Sequence, residues 1–190
     1  AYKCYCSNEE IEEQKKRAKQ KKVPYIYNRK WRDEDDSLAP KNIKPVIRFK
    51  SKIEGSTILK DLVQGDVKIE NNTIEDFIIL RNDGSPTYNL SAAVDDKQMK
   101  VSHIIRGEDH VTNSAAQLQI FKSLKSKLPE MCHLALISGF DGQGLSKRLG
   151  SFSLNDLRKE QILPISILSY LSTIGTSESI NLKENIEEII

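Results

Sequence analysis

The order strand, helix, strand between residues 100 and 137 constrains the fold of this chain more than any other feature. An apolar segment that breaks into polar residues, KVSHIIRGEDH (100–110), precedes VTNSAAQLQIFKSL (111–124), whose apolar residues recur at helical spacing. A second apolar segment, HLALI (133–137), indicates a short strand. Two strands joined by a helix form a right-handed unit with parallel strands. The sequence therefore predicts an α/β fold built on a parallel sheet.

Polar loops follow both strands of this unit. The first strand runs into RGEDH (106–110), and DGQGLSKR (141–148) comes after the second. In open parallel sheets, ligands bind in the crevice beyond the carboxyl ends of the strands. The two loops are therefore the predicted walls of a binding site.

The second loop is rich in glycine and carries two adjacent cations. Glycines in GFDGQGLSKRLG (139–150) allow unusual backbone angles and close approach to a ligand. Lys147 and Arg148 follow Ser146 without an adjacent carboxylate to neutralise them, as a loop that closes over phosphates requires. The spacing is not that of a P-loop. Both a mobile phosphate clamp and a solvated basic turn fit this pattern.

Four polar residues near the first strand are further candidates. Arg106 can bind a carboxylate with two hydrogen bonds, or it can pair with Glu108 or Asp109. Tyr88, just after the DGSPT turn, can orient a polar ligand or pack in the core. The two acids can accept hydrogen bonds from hydroxyl or amine groups. The three histidines share no metal-ligand spacing, and only His110, beside two acids, is of interest.

The rest of the chain predicts additional helices and strands. Ser7 and Glu10 form a capping box for a helix over 8–22, and the proline-bearing stretch to residue 45 indicates an irregular connection. The later predicted elements are strands at 46–50 and 76–81, a hairpin or strand pair around Gly65-Asp66, a short helix at 87–96, and helices beginning near Ser153 and Pro164.

Composition limits the class of protein. The formal net charge is +2, so contacts with nucleic acid must come from local clusters. The chain has neither a run of eighteen apolar residues nor an apolar signal core, which favours a cytoplasmic protein without membrane spans. The missing initiator methionine, and a final segment that ends inside a helical pattern, predict that the chain is part of a longer protein.

Three cysteines are too few for a disulfide framework. Cys4 and Cys6 have the spacing of half a zinc site, but a complete site needs two more cysteine or histidine ligands. Residues 24–45 contain neither type, and YNRKWRD offers only Trp31 and Asp33. Two free thiols are the alternative, and we expect no zinc.

Several motifs together resemble those of bacterial-type glutamyl-tRNA synthetase, a class I aminoacyl-tRNA synthetase. RNDGSPTYNLSAAVDD (81–96), VSHIIRGEDH (101–110) and GLSKRLG (144–150) stand in the order and at the intervals of that family. AYKCYCSNEE (1–10) resembles the segment that follows its first Rossmann half. The resemblance covers essentially the whole chain.

This resemblance implies three regions. Residues 1–85 resemble an α+β connective insertion that contacts the tRNA acceptor end, and residues 86–143 resemble the second half of the catalytic Rossmann fold. Residues 144–190 resemble the signature loop and the start of a helical stem-contact domain. The first Rossmann half, with its His-x-Gly-His signature, and the anticodon-binding domain have no counterpart here, so we expect an internal fragment that is inactive alone.

The resemblance also implies roles for individual residues. Tyr88 and Arg106 resemble the glutamate-binding tyrosine and arginine of the family, and Asp109, beside Glu108, resembles an acid that contacts ATP. Lys147 resembles the lysine that binds ATP phosphates, and with its two neighbours it is expected to be catalytic. The expected signature loop consists of Gly144, Leu145, Ser146, Lys147 and Arg148. Gly144 departs from the family, which usually has lysine there.

The reaction implied is the ATP-dependent attachment of glutamate to tRNA through glutamyl adenylate, with Mg²⁺ bound to the ATP, by a monomeric parent enzyme. Residues 15–32 supply the lysine, arginine and aromatic side chains that a tRNA acceptor end would contact, although a basic helix face is often only solvated surface. Three alternatives stay open: a glutaminyl enzyme, a glutamyl enzyme that also charges the glutamine tRNA, and a non-catalytic tRNA-binding fragment.

Overall fold

The computed structural model describes residues 1–138, 153–177, 179, 181 and 183–189. The chain divides into two compact units, Ala1–Leu134 and Ala135–Ile190. The first unit contains strands and helices with the following bounds: β1 Tyr2–Cys4, α1 Asn8–Gln20, β2 Val46–Arg48, β3 Ser56–Asp61, β4 Gly65–Glu70, β5 Ile78–Leu80, α2 Tyr88–Gln98, β6 His103–Gly107, α3 Val111–Ser123 and β7 Glu130–Leu134.

The predicted strand, helix, strand unit is present as β6, α3 and β7. The two strands are parallel, and their register runs from His103 opposite Glu130 to Gly107 opposite Leu134. Strand β3 extends the sheet by a second parallel pairing to β7, and β4 completes the order β4-β3-β7-β6. The α/β fold predicted from the sequence is therefore confirmed.

Strand β7 begins and ends earlier than the apolar segment 133–137 predicts. Its position is set by its pairing with β6, which ends at Gly107, where the chain enters a 3₁₀ turn over Glu108–His110. The residues that β7 buries are Met131 and His133. Pairing with a neighbour, rather than the run of apolar letters, decides where this strand ends.

The predicted hairpin is formed by β3 and β4. Six residue pairs join the two strands, from Ser56 opposite Glu70 to Asp61 opposite Gly65. Gly65 has φ 73°, a left-handed conformation that glycine adopts without strain. Alternate residues of β3 are buried, so Thr57, Leu59 and Asp61 share the inner face.

Helix α3 forms the centre of the main core. All eight residues from Ser114 to Phe121 are buried, and the helix lies against α2 and the hairpin strand β3. Its apolar side chains pack with Leu59, Ala93 and Met131. Helix α3 also buries polar side chains, such as Ser114 and Gln117. These polar groups need hydrogen-bond partners inside the protein.

The amino-terminal part of the first unit has its own small core. This part contains the antiparallel sheet β1-β2-β5, and residues of β1 and β2 pack in a hydrophobic cluster that includes Tyr27 and Trp31. The fully buried Asp76 accepts hydrogen bonds from Arg32 at 2.6 and 2.8 Å and from the Tyr2 hydroxyl at 2.9 Å. The capping box of Ser7 and Glu10 is formed at the start of α1, as predicted.

The second unit contains two helices, α4 at Leu154–Lys159 and α5 at Pro164–Thr173, among its described residues. Ser153 and Asp156 form the expected capping box, and Pro164 occupies the first turn of α5. Each helix in the described part of the chain is too short or too polar to cross a membrane.

Candidate active site

Arg106 lies near the carboxyl end of β6, where the sequence predicts a binding site. Its guanidinium donates four hydrogen bonds, and none of the four acceptors is a carboxylate. The donor–acceptor distances are 3.2 Å to His133 Nε2, 2.5 Å to Ser114 Oγ, 2.9 Å to Gln117 Oε1 and 3.2 Å to Tyr88 Oη. Arginine has five N–H donors, so one Nη1–H is left over.

The neighbouring acids do not neutralise Arg106. Among the described residues, neither Glu108 nor Asp109 forms an ion pair with it, so the alternative considered from the sequence is not realised. Glu108 Oε2 lies 3.5 Å from Gln64 Nε2, and Asp109 Oδ2 lies 3.9 Å from His110 Nε2. Burial raises the pKa of Asp96, and the charge of Arg106 acts against that shift, but among the described residues no carboxylate forms an ion pair with Arg106.

Tyr88 stands beside Arg106 at the first position of α2. Its side chain is half exposed, and its ring centre lies 5.8 Å from that of His110. It borders a cleft of about 460 Å³ whose walls include Asn89 and Asn113. Since half of the side chain is exposed, Tyr88 is not packed in the core and can be reached by a ligand.

Behind Arg106 runs a buried chain of hydrogen bonds. Asp61 Oδ2 lies 2.5 Å from His133 Nδ1, and His133 Nε2 lies 2.8 Å from Ser114 Oγ. Burial alone raises the pKa of Asp61. Hydrogen bonds from the Gln64 backbone N–H, the His133 ring and the Val63 backbone N–H outweigh burial and lower that pKa to about 2. The carboxylate is thus ionised and fully hydrogen-bonded at neutral pH.

The order Asp61, His133, Ser114 has the connectivity of a hydrolase triad, but it cannot act as one. Ser114 and His133 are both 0% exposed, and Ser114 Oγ already accepts from Arg106. A nucleophile must reach its substrate. These residues therefore support Arg106 from inside the protein.

Comparison with known proteins identifies the family. The family described as tRNA synthetases class I (E and Q), catalytic domain, matches residues 1–190. The chain belongs to this family. It is 60% identical over 191 residues to the glutamate–tRNA ligase of Pelagibacter ubique, covering 98% of this chain and 41% of the relative. Glutamate–tRNA ligase 1 of Bartonella bacilliformis is 49% identical over 177 residues, which cover 93% of this chain and 37% of the relative.

Structural comparison agrees on the fold. The glutamate–tRNA synthetase of Elizabethkingia anophelis superposes with a TM-score of 0.81 at 24% identity, over 99% of this chain and 44% of that chain. The chain thus spans about two fifths of the length of the synthetases it resembles. The fold and family assignment from the sequence motifs is confirmed.

The predicted signature loop, Gly144, Leu145, Ser146, Lys147 and Arg148, lies outside the described residues. Of the predicted site residues that are described, Tyr88 and Arg106 are in direct contact, while Glu108 and Asp109 stand exposed in the adjacent 3₁₀ turn. Their roles in the synthetase reaction stay predictions.

Sequence reasoning missed the residues that hold Arg106. The sequence patterns give His133 no metal-ligand spacing and assign no role to Asp61. A signal for Asp61 existed, because the alternation of β3 puts it on the same face as Leu59. A carboxylate on the buried face of a strand needs a partner, and a buried histidine is a suitable one.

Cys4 and Cys6 surround the hydroxyl of Tyr27. Their sulfur atoms lie 3.3 and 3.7 Å from Tyr27 Oη, which also accepts the Trp31 backbone N–H at 3.3 Å. Burial raises the pKa of Tyr27, so its hydroxyl is not a ready anionic ligand. The described residues contain no cluster of three or more histidine, cysteine, aspartate or glutamate side chains suited to a metal. That this synthetase chain binds no zinc stays a prediction.

The basic segment 15–32 is less available to RNA than its sequence suggests. Tyr27 and Trp31 are buried in the small core and cannot stack on bases. Arg29 and Arg32 pair with Asp76. The lysines in α1 and just after it that remain exposed and outside the ion pairs of the described chain are Lys16, Lys19, Lys21 and Lys22.

Proposed function

We propose that the protein containing this chain attaches glutamate to tRNA in two steps, through a glutamyl adenylate made from ATP. The observation that supports this most is Arg106, a cation held by four hydrogen bonds, none of them to a carboxylate, and in no ion pair with any described carboxylate. A carboxylate ligand would supply the missing negative charge. Charge-assisted hydrogen bonds of this kind are about twice as strong as neutral ones.

In this proposal Arg106 and Tyr88 bind and orient glutamate. Arg106 Nη1, which has one N–H not used by the described residues, lies 3.2 Å from the hydroxyl of Tyr88, so the two groups can contact one ligand. Together they hold one carboxylate of the amino acid so that the reacting carboxylate lies in line with the α-phosphorus of ATP. The neutral amide of glutamine would not offer the same charge to Arg106.

ATP is the second substrate. We assign its phosphates to the signature loop of residues 144–148, in which Lys147, Arg148 and Ser146 would stabilise the charge on departing pyrophosphate. Mg²⁺ bound to the phosphates would neutralise part of that charge. Asp109 and Glu108, exposed beside the strand end, would accept hydrogen bonds from hydroxyl groups of the nucleotide.

The tRNA acceptor end is the third proposed ligand. The four exposed lysines Lys16, Lys19, Lys21 and Lys22 give the end of α1 a positive surface suited to phosphates. On this proposal residues 1–85 form the insertion that contacts tRNA, residues 86–143 the second Rossmann half, and residues 144–190 the loop and the start of the stem-contact domain. We place the protein in the cytoplasm as a monomer.

ATP–pyrophosphate exchange by the full-length protein that contains this chain tests the proposal. Exchange should require glutamate, and Arg106→Ala should raise the KM for glutamate far more than the KM for ATP. Glutamate and glutamine should be compared with and without tRNA. Equal exchange with glutamine would indicate a glutaminyl or non-discriminating enzyme, and no exchange with either would indicate a non-catalytic tRNA-binding role.

A further inference from the structure

The chemistry of Arg106 fixes the protonation state of His133. Arginine has donors only, so Arg106 Nε, 3.2 Å from His133 Nε2, requires a lone pair on that ring nitrogen, and the Ser114 hydroxyl 2.8 Å away can donate to the same lone pair. The ring proton must then sit on Nδ1, which faces the ionised Asp61 Oδ2 at 2.5 Å. An imidazolium would instead direct a proton and a positive charge at the guanidinium. His133 is therefore neutral, with its proton held by Asp61.

Asp61 is positioned for this task by the fold itself. Its Oδ1 accepts hydrogen bonds from the backbone N–H groups of Val63, Gln64 and His133 at 3.0, 2.9 and 3.2 Å. The other oxygen, Oδ2, is then directed at the imidazole. The pairing of β3 with β7, where Asp61 lies opposite Met131, brings the two residues together from positions 72 apart in the sequence.

We propose that His133 and Asp61 are positioning residues for substrate recognition: the carboxylate sets the tautomer of a neutral imidazole, and the imidazole aims the guanidinium of Arg106 at glutamate. Neither residue reaches the substrate, because both side chains are fully buried. The inference rests on the proposed role of Arg106 and adds two residues that act only through it. It predicts losses in glutamate recognition that depend on hydrogen-bonding capacity rather than on side-chain volume.

Steady-state pyrophosphate exchange by the full-length protein tests this with two substitutions at position 133. His133→Leu removes the acceptor and should raise the KM for glutamate about tenfold or more, the usual cost of losing a hydrogen bond to a charged group. The KM for ATP should stay within about twofold. His133→Gln has an amide oxygen that can accept from Arg106 and an amide N–H that can donate to Asp61, so it should recover most of the glutamate affinity.

A third variant changes the tautomer while keeping the shape. In Asp61→Asn the amide N–H₂ can donate to Nδ1, which moves the ring proton to Nε2 and sets it against Arg106 Nε–H. The KM for glutamate should rise by a similar factor. Circular dichroism identifies any variant that fails to fold. In the wild type, ¹⁵N NMR of labelled histidine, with His133 assigned by its through-space contacts to Arg106 and Ser114, should show the proton on Nδ1.

The outcomes separate this inference from the proposed function. If the wild type shows no glutamate-dependent exchange, or if Arg106→Ala leaves the KM for glutamate unchanged, the proposed function is wrong. If Arg106→Ala raises that KM while folded His133→Leu or folded Asp61→Asn does not, only the positioning role is wrong. A ring proton on Nε2, or equal rises in the KM for glutamate and ATP, would also overturn it, and the NMR result holds even if no variant folds.

Discussion

The stability of the first unit should depend on the ionisation of Asp61. Its pKa in the folded protein is about 2, below its ordinary value of 3.8. A carboxyl group with a depressed folded pKa stabilises the fold above its unfolded pKa, and that stabilisation is lost as the pH falls toward the folded pKa. The pH window of interest is therefore about 4 to 2.

The size of the effect follows from the two pKa values. They differ by about 1.8, and at about 1.36 kcal/mol per pKa unit the ionised carboxylate contributes about 2 kcal/mol. Most of this should be lost between pH 6 and pH 2. The buried position of Asp61 means that solvent screening removes little of it.

Urea unfolding of wild type and Asp61→Asn at several pH values measures this contribution. Trp31, the single tryptophan and buried in the first unit, gives a fluorescence signal, and circular dichroism tests whether unfolding is two-state. The difference in unfolding free energy between the two proteins should shrink by about 2 kcal/mol from pH 6 to pH 2.

Two controls isolate the carboxylate. The same pair in a His133→Gln background removes the imidazole from the comparison. Asp83→Asn removes an exposed turn carboxylate whose pKa is lowered by hydrogen bonds from Ser85, and its effect should vary far less with pH. If the difference between wild type and Asp61→Asn is constant from pH 6 to pH 2, the hydrogen-bonded carboxylate is not a source of stability and the reasoning fails.

Four further outcomes are expected. Lys147→Ala in the full-length protein should slow adenylate formation about a hundred- to a thousandfold, or about 3–4 kcal/mol, with little change in glutamate binding; single-turnover kinetics within about threefold of wild type would contradict this. Purified residues 1–190 should form no glutamyl-tRNA in an aminoacylation assay. Metal analysis after mild chelation should find no stoichiometric zinc, because Cys4 and Cys6 alone fill half of a tetrahedral shell. Asp76→Ala should lower the unfolding free energy in urea by about 3–5 kcal/mol, since it leaves Arg32 without its buried partner.

Local sequence signals predicted much of the architecture. Turn residues and apolar spacing within short segments were enough to predict three features: the capping box at Ser7, the hairpin at Gly65 and the parallel unit around α3. The end of β7 could not be read in this way, because it depends on where its neighbour β6 stops pairing. The placement of Arg106 and Tyr88 beside each other was predictable through the motifs that contain them.

The support behind Arg106 was not predictable from local patterns. Asp61 and His133 belong to segments far apart in the chain, and neither segment alone requires the other. The burial of aromatic residues in segment 15–32 could not be predicted for a similar reason. Tyr27 and Trp31 look like RNA-stacking side chains in the sequence, but the fold uses them to fill its small core.

The pairing of β3 with β7 also determines when this sheet can be completed during synthesis. A ribosome adding about 5–20 residues per second produces Met131 roughly 4–14 seconds after Asp61, its partner across the sheet. Closing a loop of this length costs about 4 kcal/mol in chain entropy before any contact repays it. The β3–β4 hairpin therefore exposes Asp61 until β7 has been synthesised. The surroundings of Arg106 are complete only when β7 pairs with β3. A nascent chain stalled before His133 would hold Arg106 without the imidazole proposed to direct it.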